Sequence, residues 1–207
     1  EVNRYIEQWR STPRFETGVK RAQANGYTRT IAAAFMARQL PPQYFYLALQ
    51  ESNFIPTNVG PPTRFGFAKG MWQFIPETGQ RYGLKYGPYS RDSRVDPQDE
   101  RFDWEKATRA AASYIKDIYA TDAQASGLLV MASYNWGERR VVERLKKMPL
   151  NPRERNWWTL LAQYPEDVPP ETYNYVFSIV SAAVIGENPR LFGFQFDNPL
   201  AFTASSR

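Results

Sequence analysis

The 207-residue chain has no cysteine and no histidine. Without cysteine there are no disulfides, thiolate nucleophiles or thiolate metal ligands. Without histidine, Ser-His catalysis is excluded and a transition-metal site built from protein alone loses its commonest ligand. Neither a metal nor a cofactor is implied. Long apolar runs are also missing, since no stretch approaches the ~18 residues that a membrane span needs. Proton transfer near neutral pH must therefore fall to Asp, Glu, Lys or Tyr with a shifted pKa. A cysteine-free chain fits cytoplasm and periplasm alike. The chain begins at Glu1 rather than Met, which fits removal of an upstream signal peptide, lipid anchor or domain.

What is present points to a globular protein: 43% hydrophobic and 23% charged residues, with a net charge of +5. Such a surplus suits an anionic partner, whether nucleic acid, membrane surface or wall polymer. Nucleic acid would call for clustering, but the basic residues are spread along helices and no nucleic-acid motif occurs. The one cluster, "ERRVVERLKK" at 138–147, reads as a solvated helix face whose buried stripe is Val141, Val142 and Leu145. Aromatics make up 15% of the chain, which fits either a groove that stacks on sugars or bases, or an aromatic core.

Nearly every periodic segment reads as helix. Val2, Tyr5, Ile6 and Trp9 recur at helical spacing before Pro13, and a second helix over 14–24 stops at Asn25-Gly26. Thr28 is expected to cap a helix through Arg38, and Pro41-Pro42 to open another over 42–53. Residues 54–75, rich in Pro and Gly, read as a long structured loop, followed by a short helix from Pro76 closed by Gly83. Asp103 caps the clearest helix, with Ala107, Ala110, Ala111, Tyr114, Ile115 and Ile118 in one stripe. Ser126 caps an almost wholly apolar helix, and Pro169-Pro170-Glu171 begins the last. There Tyr173, Val176, Phe177, Val180 and Val184 are expected to face the core, before an extended aromatic tail. The fold class is all-α.

In "YLALQESNF" (46–54), Glu51 shares a helix face with Tyr44, Leu47 and Ala48. A carboxyl on that stripe is partly desolvated, which raises its pKa toward what a general acid needs. The same Glu could equally be a last-turn charge facing solvent.

The motifs "ESNFIP", "KGMWQFIPETGQRYGL", "ASYNWG" and "ETYNYV" occur here in the order and approximate spacing of the lytic transglycosylases of bacterial cell walls. Roughly residues 14–200 resemble that family, most of all the branch of membrane-bound lytic murein transglycosylase D. The resemblance implies a lysozyme-like helical domain of goose-lysozyme type with an irregular active-site loop. We expect an N-terminal helical extension over 1–38, the catalytic domain over 39–190 and an extended tail over 191–207.

It also implies peptidoglycan glycan strands as partner, a monomer in the periplasm or cell envelope, and membrane contact only through an upstream anchor. Glu51 matches the family's single acid/base. Ser52, Gly70, Met71, Trp72, Gln73, Tyr134, Asn135, Glu171 and Tyr175 match positions at its sugar groove. Such enzymes break the N-acetylmuramic acid–N-acetylglucosamine bond without water and leave a 1,6-anhydro ring. One carboxyl therefore serves twice, where ordinary glycosidases need two. The alternatives are a hydrolytic muramidase of goose-lysozyme type and a wall-binding module with impaired catalysis.

Several of these residues have plainer readings. Trp72 and Trp136 could be core filler, with Trp72 the better groove residue of the two. Tyr134 could be a core phenol, and Glu171 an acid that meets the helix dipole in a first turn. Asp96 and Asp103 read as turn and cap. One departure stands out: the interval from Glu51 to Gly70 is longer than in the family and lacks its usual Ser, with Phe67 where Gly is usual. Thr63 or the backbone would have to supply the missing hydrogen bond.

Overall fold

The computed structural model describes residues 1–149, 151 and 153–206, of which 204–206 are described without their side chains. The described residues form ten α-helices and one hairpin. In chain order these are α1 (Val2–Arg10), α2 (Arg14–Ala24), α3 (Tyr27–Met36), α4 (Phe45–Ser52), β1 (Val59–Thr63), β2 (Gly66–Lys69), α5 (Pro76–Arg81), α6 (Trp104–Tyr119), α7 (Gly127–Trp136), α8 (Glu138–Leu145), α9 (Trp157–Gln163) and α10 (Pro170–Glu187).

The helices start where short polar side chains meet orphan backbone N–H groups. The Asp103 carboxylate accepts from Lys106 N, and the Ser126 hydroxyl accepts from Leu128 N. Thr28 does not cap α3. The turn is made instead by Gly26, whose φ of +71° suits a residue without Cβ, and Thr28 is buried. Pro41 and Pro42 lead into a 3-10 turn at Pro42–Tyr44, so α4 begins only at Phe45.

α7 is buried from Leu129 to Ser133 and packs against α6, α8 and α10. The buried face of α10 is wider than the expected one. Val176 and Phe177 are buried as expected and Tyr173 and Val180 pack against the core, but Thr172, Tyr175, Ile179, Ala182 and Ile185 are buried too, and Val184 is 40% exposed. α10 is apolar nearly all round, so its periodicity does not single out a face. α1 packs on α10, and α2 on α3 and α4, within the same hydrophobic core as the remaining helices. The tail is less extended than expected. It folds into 3-10 turns at Pro189–Phe192 and Ala201–Ser206, with Phe194 and Phe196 against Phe15 of α2.

The stretch expected as an irregular loop contains an antiparallel hairpin, with Val59 opposite Lys69, Pro62 opposite Phe67 and Thr63 opposite Gly66. The register is irregular between Val59 and Pro62, and Pro61 and Pro62 are tolerated because β1 is an edge. The base of the hairpin rests on a buried ionic cluster. Arg101 pairs with Asp99 through Nε (2.9 Å) and Nη2 (2.6 Å), and donates to the carbonyls of Phe67, Phe74 and Ser90. Lys69 donates to the carbonyls of Tyr89 and Arg94 and lies 3.7 Å from Asp99. All three side chains are fully buried, and their bonds tie the polar segment after α5 to the hairpin.

Candidate active site

α4 delivers Glu51 in its last turn. Leu47 and Ala48 on the same side are fully buried, so the helix face is anchored in the core up to the carboxylate. The helix then stops abruptly. Asn53 and Phe54 both take positive φ (54° and 58°), and Phe54 N–H returns to Ala48 O at 3.2 Å while Asn53 N–H returns to Leu49 O at 3.0 Å. This paired closure satisfies the terminal carbonyls and releases the chain toward the hairpin.

Glu51 is half-buried at a cleft of about 900 Å³. Its Oε1 accepts a hydrogen bond from the Tyr175 hydroxyl at 2.5 Å. Burial pushes the carboxyl up to about 7, the Tyr175 bond opposes this, the negative Glu171 adds to it, and Arg14 opposes it. The position at the negative end of α4 acts in the same direction as burial. Tyr175 and Tyr134 are held well above the ordinary phenol range, first by burial and then by the Glu51 charge, so both act as neutral donors.

The residues expected in the groove separate into two sets. Gln73, Tyr134, Asn135 and Glu171 line the cleft with Glu51. Asn135 is oriented by Thr172, whose hydroxyl donates to its Oδ1 at 2.8 Å. Glu171 is exposed in the first turn of α10, one helical turn before Tyr175. Gln73, at φ +49°, donates from Nε2 to Gly70 O at 2.8 Å and Asn58 O at 3.3 Å, fixing its amide at the cleft edge.

The second set lies behind the cleft and corrects the expectation of sugar contact. Trp72 is fully buried, its indole N–H donating to Thr108 Oγ1 at 2.9 Å and its ring meeting Phe35 edge-on. The Met71 side chain is also fully buried. Ser52 is 6% exposed and donates to Met71 O at 2.8 Å while accepting from Ile55 N–H. Gly70, at φ +81°, turns the chain where an added Cβ would lie 1.8 Å from Arg101 O. With Tyr134 donating to Trp72 O at 2.9 Å, the backbone of 70–73 is a brace between α4 and α7. Tyr175 is also buried and reaches the cleft only through Glu51.

Trp136, the less favoured tryptophan in the sequence reading, is the one that lines the cleft. The hairpin contributes Thr63, Arg64 and Phe65, and α8 contributes Arg139 and Arg140. Thr63 does not replace the missing serine, because its hydroxyl donates to Gly66 O at 2.6 Å within the hairpin turn. A site role for this loop is expected from the sequence, but its strand character is not, since Pro-Pro and Gly mask it. Among the described residues no group of three or more Asp or Glu could hold a metal ion, and no helix is long and apolar enough to cross a membrane.

Residues 29–155, more than half of the chain, match the family described as the transglycosylase SLT domain. Over 171 residues the chain is 29% identical to membrane-bound lytic murein transglycosylase D of Escherichia coli K12, and equally to that of Escherichia coli O6:H1. Those alignments cover 83% of this chain and 34% of the relatives, so the chain spans about a third of their length. Among solved structures, an inactive mutant of the lytic transglycosylase Slt from Pseudomonas aeruginosa shares the fold. Its TM-score is 0.54 at 22% identity, over 82% of this chain and 26% of that one.

Proposed function

The chain belongs to the transglycosylase SLT domain family, and from that membership and the setting of Glu51 we propose that it is a lytic transglycosylase of peptidoglycan. The relatives named as murein transglycosylases support the substrate, and the carboxyl raised to about 7 supports the chemistry. That carboxyl, hydrogen-bonded to a neutral tyrosine at a cleft of about 900 Å³, is the observation that carries the reading.

Tyr175 donates to Oε1, so the proton of the neutral acid resides on Oε2. Placed at the bond between N-acetylmuramic acid and N-acetylglucosamine, Glu51 protonates the leaving oxygen. The substrate's N-acetyl oxygen supports C1 as the bond breaks. Glu51, now a carboxylate steadied by Tyr175, accepts the proton of the C6 hydroxyl as that oxygen closes the 1,6-anhydro ring. No water is consumed, and the single carboxyl returns to its starting state. Gln73, Asn135, Tyr134 and Glu171 are the groups we place against the sugar, with Trp136 as a stacking wall. In this reading the protein works as a monomer in the cell envelope, with any membrane attachment supplied from outside the described chain.

Mass spectrometry of products from purified sacculi tests the proposal. Anhydro-muropeptides released by the native chain and lost in Glu51→Gln are expected. Products heavier by one water would mean a muramidase, with Glu171 then the second carboxylate to examine. Saturable binding without product would mean a wall-binding module.

A further inference from the structure

α1 and α2 precede residue 29, where the family match begins, yet both reach the helices that carry the Glu51–Tyr175 pair. From α1, the Tyr5 hydroxyl donates to Asn174 Oδ1 at 2.5 Å, immediately before Tyr175. Trp9 Nε1 donates to Ser178 O at 2.9 Å and to Ser181 Oγ at 3.1 Å, beyond Tyr175. From α2, Arg14 Nη2 donates to Gln50 O at 2.8 Å and Leu49 O at 3.3 Å, the two carbonyls before Glu51. Arg21 donates to Asn53 O just after it. α2 comes so close to α4 that a Cβ on Gly18 would lie 2.2 Å from the Asn53 side-chain amide and 2.4 Å from a Leu49 methyl. The Arg14 guanidinium also lies over the Trp9 ring, 5.0 Å from its centroid.

One continuous series of contacts therefore runs from α10 through Trp9 and Arg14 to the end of α4. We propose that Trp9 and Arg14 form a clasp that sets the separation of Glu51 and Tyr175, which makes Arg14 a positioning residue for the general acid. The proposal rests on the reading of Glu51 as that acid. Its physical basis is twofold. Leu49 O is already shared with Asn53 N–H, so the Gln50 carbonyl is the one that depends on Arg14 Nη2, and the planar guanidinium stacked on Trp9 holds that nitrogen in place as a flexible ammonium does not. A cation there also meets the negative end of the helix and the Glu51 charge. Tyr175 and Glu171 from α10, Tyr134 from α7 and Arg14 from α2 act on Glu51, while Arg64 of the hairpin turn and Arg139 and Arg140 of α8 line the same cleft.

The test compares Arg14→Ala and Arg14→Lys with the native chain by three readouts. These are Glu51 titration by side-chain carboxyl NMR, kcat with sacculus affinity, and thermal stability. In Arg14→Ala the Glu51 titration should move to higher pH and kcat should fall about tenfold at unchanged affinity, the size expected of a small misplacement. Arg14→Lys should restore the titration but only part of kcat. An unmoved titration and a native kcat with only a lower melting temperature would reduce Arg14 to a structural cap and overturn the proposal. Should Arg14→Ala not fold, Arg14→Lys decides alone, since native kcat in that variant is incompatible with a clasp. The titration needs no substrate. A native chain that released no anhydro product would sink the proposed activity and leave the clasp to be judged by the titration.

Discussion

Tyr175 and Glu51 lie 124 residues apart in sequence and meet at 2.5 Å, hydroxyl to carboxyl oxygen, across the packed faces of α10 and α4. The pair combines opposing influences: burial raises the acid, and the phenol's hydrogen bond lowers it. The outcome, about 7, leaves the carboxyl able to give and to take a proton near neutrality.

Glu51→Gln should release no anhydro product and should be the more stable protein at high pH. The folded value of about 7 stands above the reference 4.5, so the folded state binds the proton more tightly than the unfolded state. Native stability therefore falls as pH rises from 4.5 to about 7, by at most about 3 kcal/mol from this group. Glutamine does not titrate. Melting curves of the two proteins from pH 5 to about 8 should diverge, with the native chain falling behind. Parallel curves would mean that Glu51 is not desolvated.

Tyr175→Phe should separate the influences on Glu51. Without the hydrogen bond that lowers it, Glu51 should titrate higher, and the alkaline limb of the pH–rate profile should shift upward. The rate at the optimum should nevertheless fall, about 10- to 100-fold, because the proton is no longer confined to Oε2 and the carboxylate loses its donor. A limb that stays in place would assign the native limb to another group.

The sequence exposed what depends on near neighbours and concealed what depends on distant partners. The stripe on α6 and the Asp103 and Ser126 caps repeat within a few residues, and the structure places them as periodicity indicates. The Tyr175–Glu51 pair was legible only through motif resemblance, because nothing local links the two. That Trp72 is buried while Trp136 lines the cleft is not visible locally, since the difference lies in Thr108, 36 residues from Trp72, which gives its indole a buried partner. Lys69 and Arg101 carry no local sign of burial, because their shared counter-ion, Asp99, and the carbonyls around them come together only in three dimensions.

The two tryptophans should fail differently. Trp72→Ala removes a fully buried ring and should cost about 3–5 kcal/mol in denaturant unfolding. Trp136→Ala should cost less stability, since the ring is only partly buried against the core, and should weaken sacculus binding, since it also lines the cleft. A Trp136 variant with native affinity would remove it from the substrate path.

Asp99→Ala should destabilise the protein more than the loss of a surface ion pair would. Its two oxygens receive Arg101 and stand beside Lys69, and all three side chains are fully buried. Deleting the shared carboxylate leaves two cations facing each other without water, for which about 3–5 kcal/mol is expected. The damage should reach the cleft, because Arg101 also holds the Phe67 and Phe74 carbonyls at either end of the segment that braces α4 and α7. Chemical denaturation measures the first effect. Amide exchange at residues 66–74 measures the second, and protection there should drop before the helical core opens. Core and hairpin losing protection together would show that the cluster stabilises the whole domain rather than the floor of the cleft.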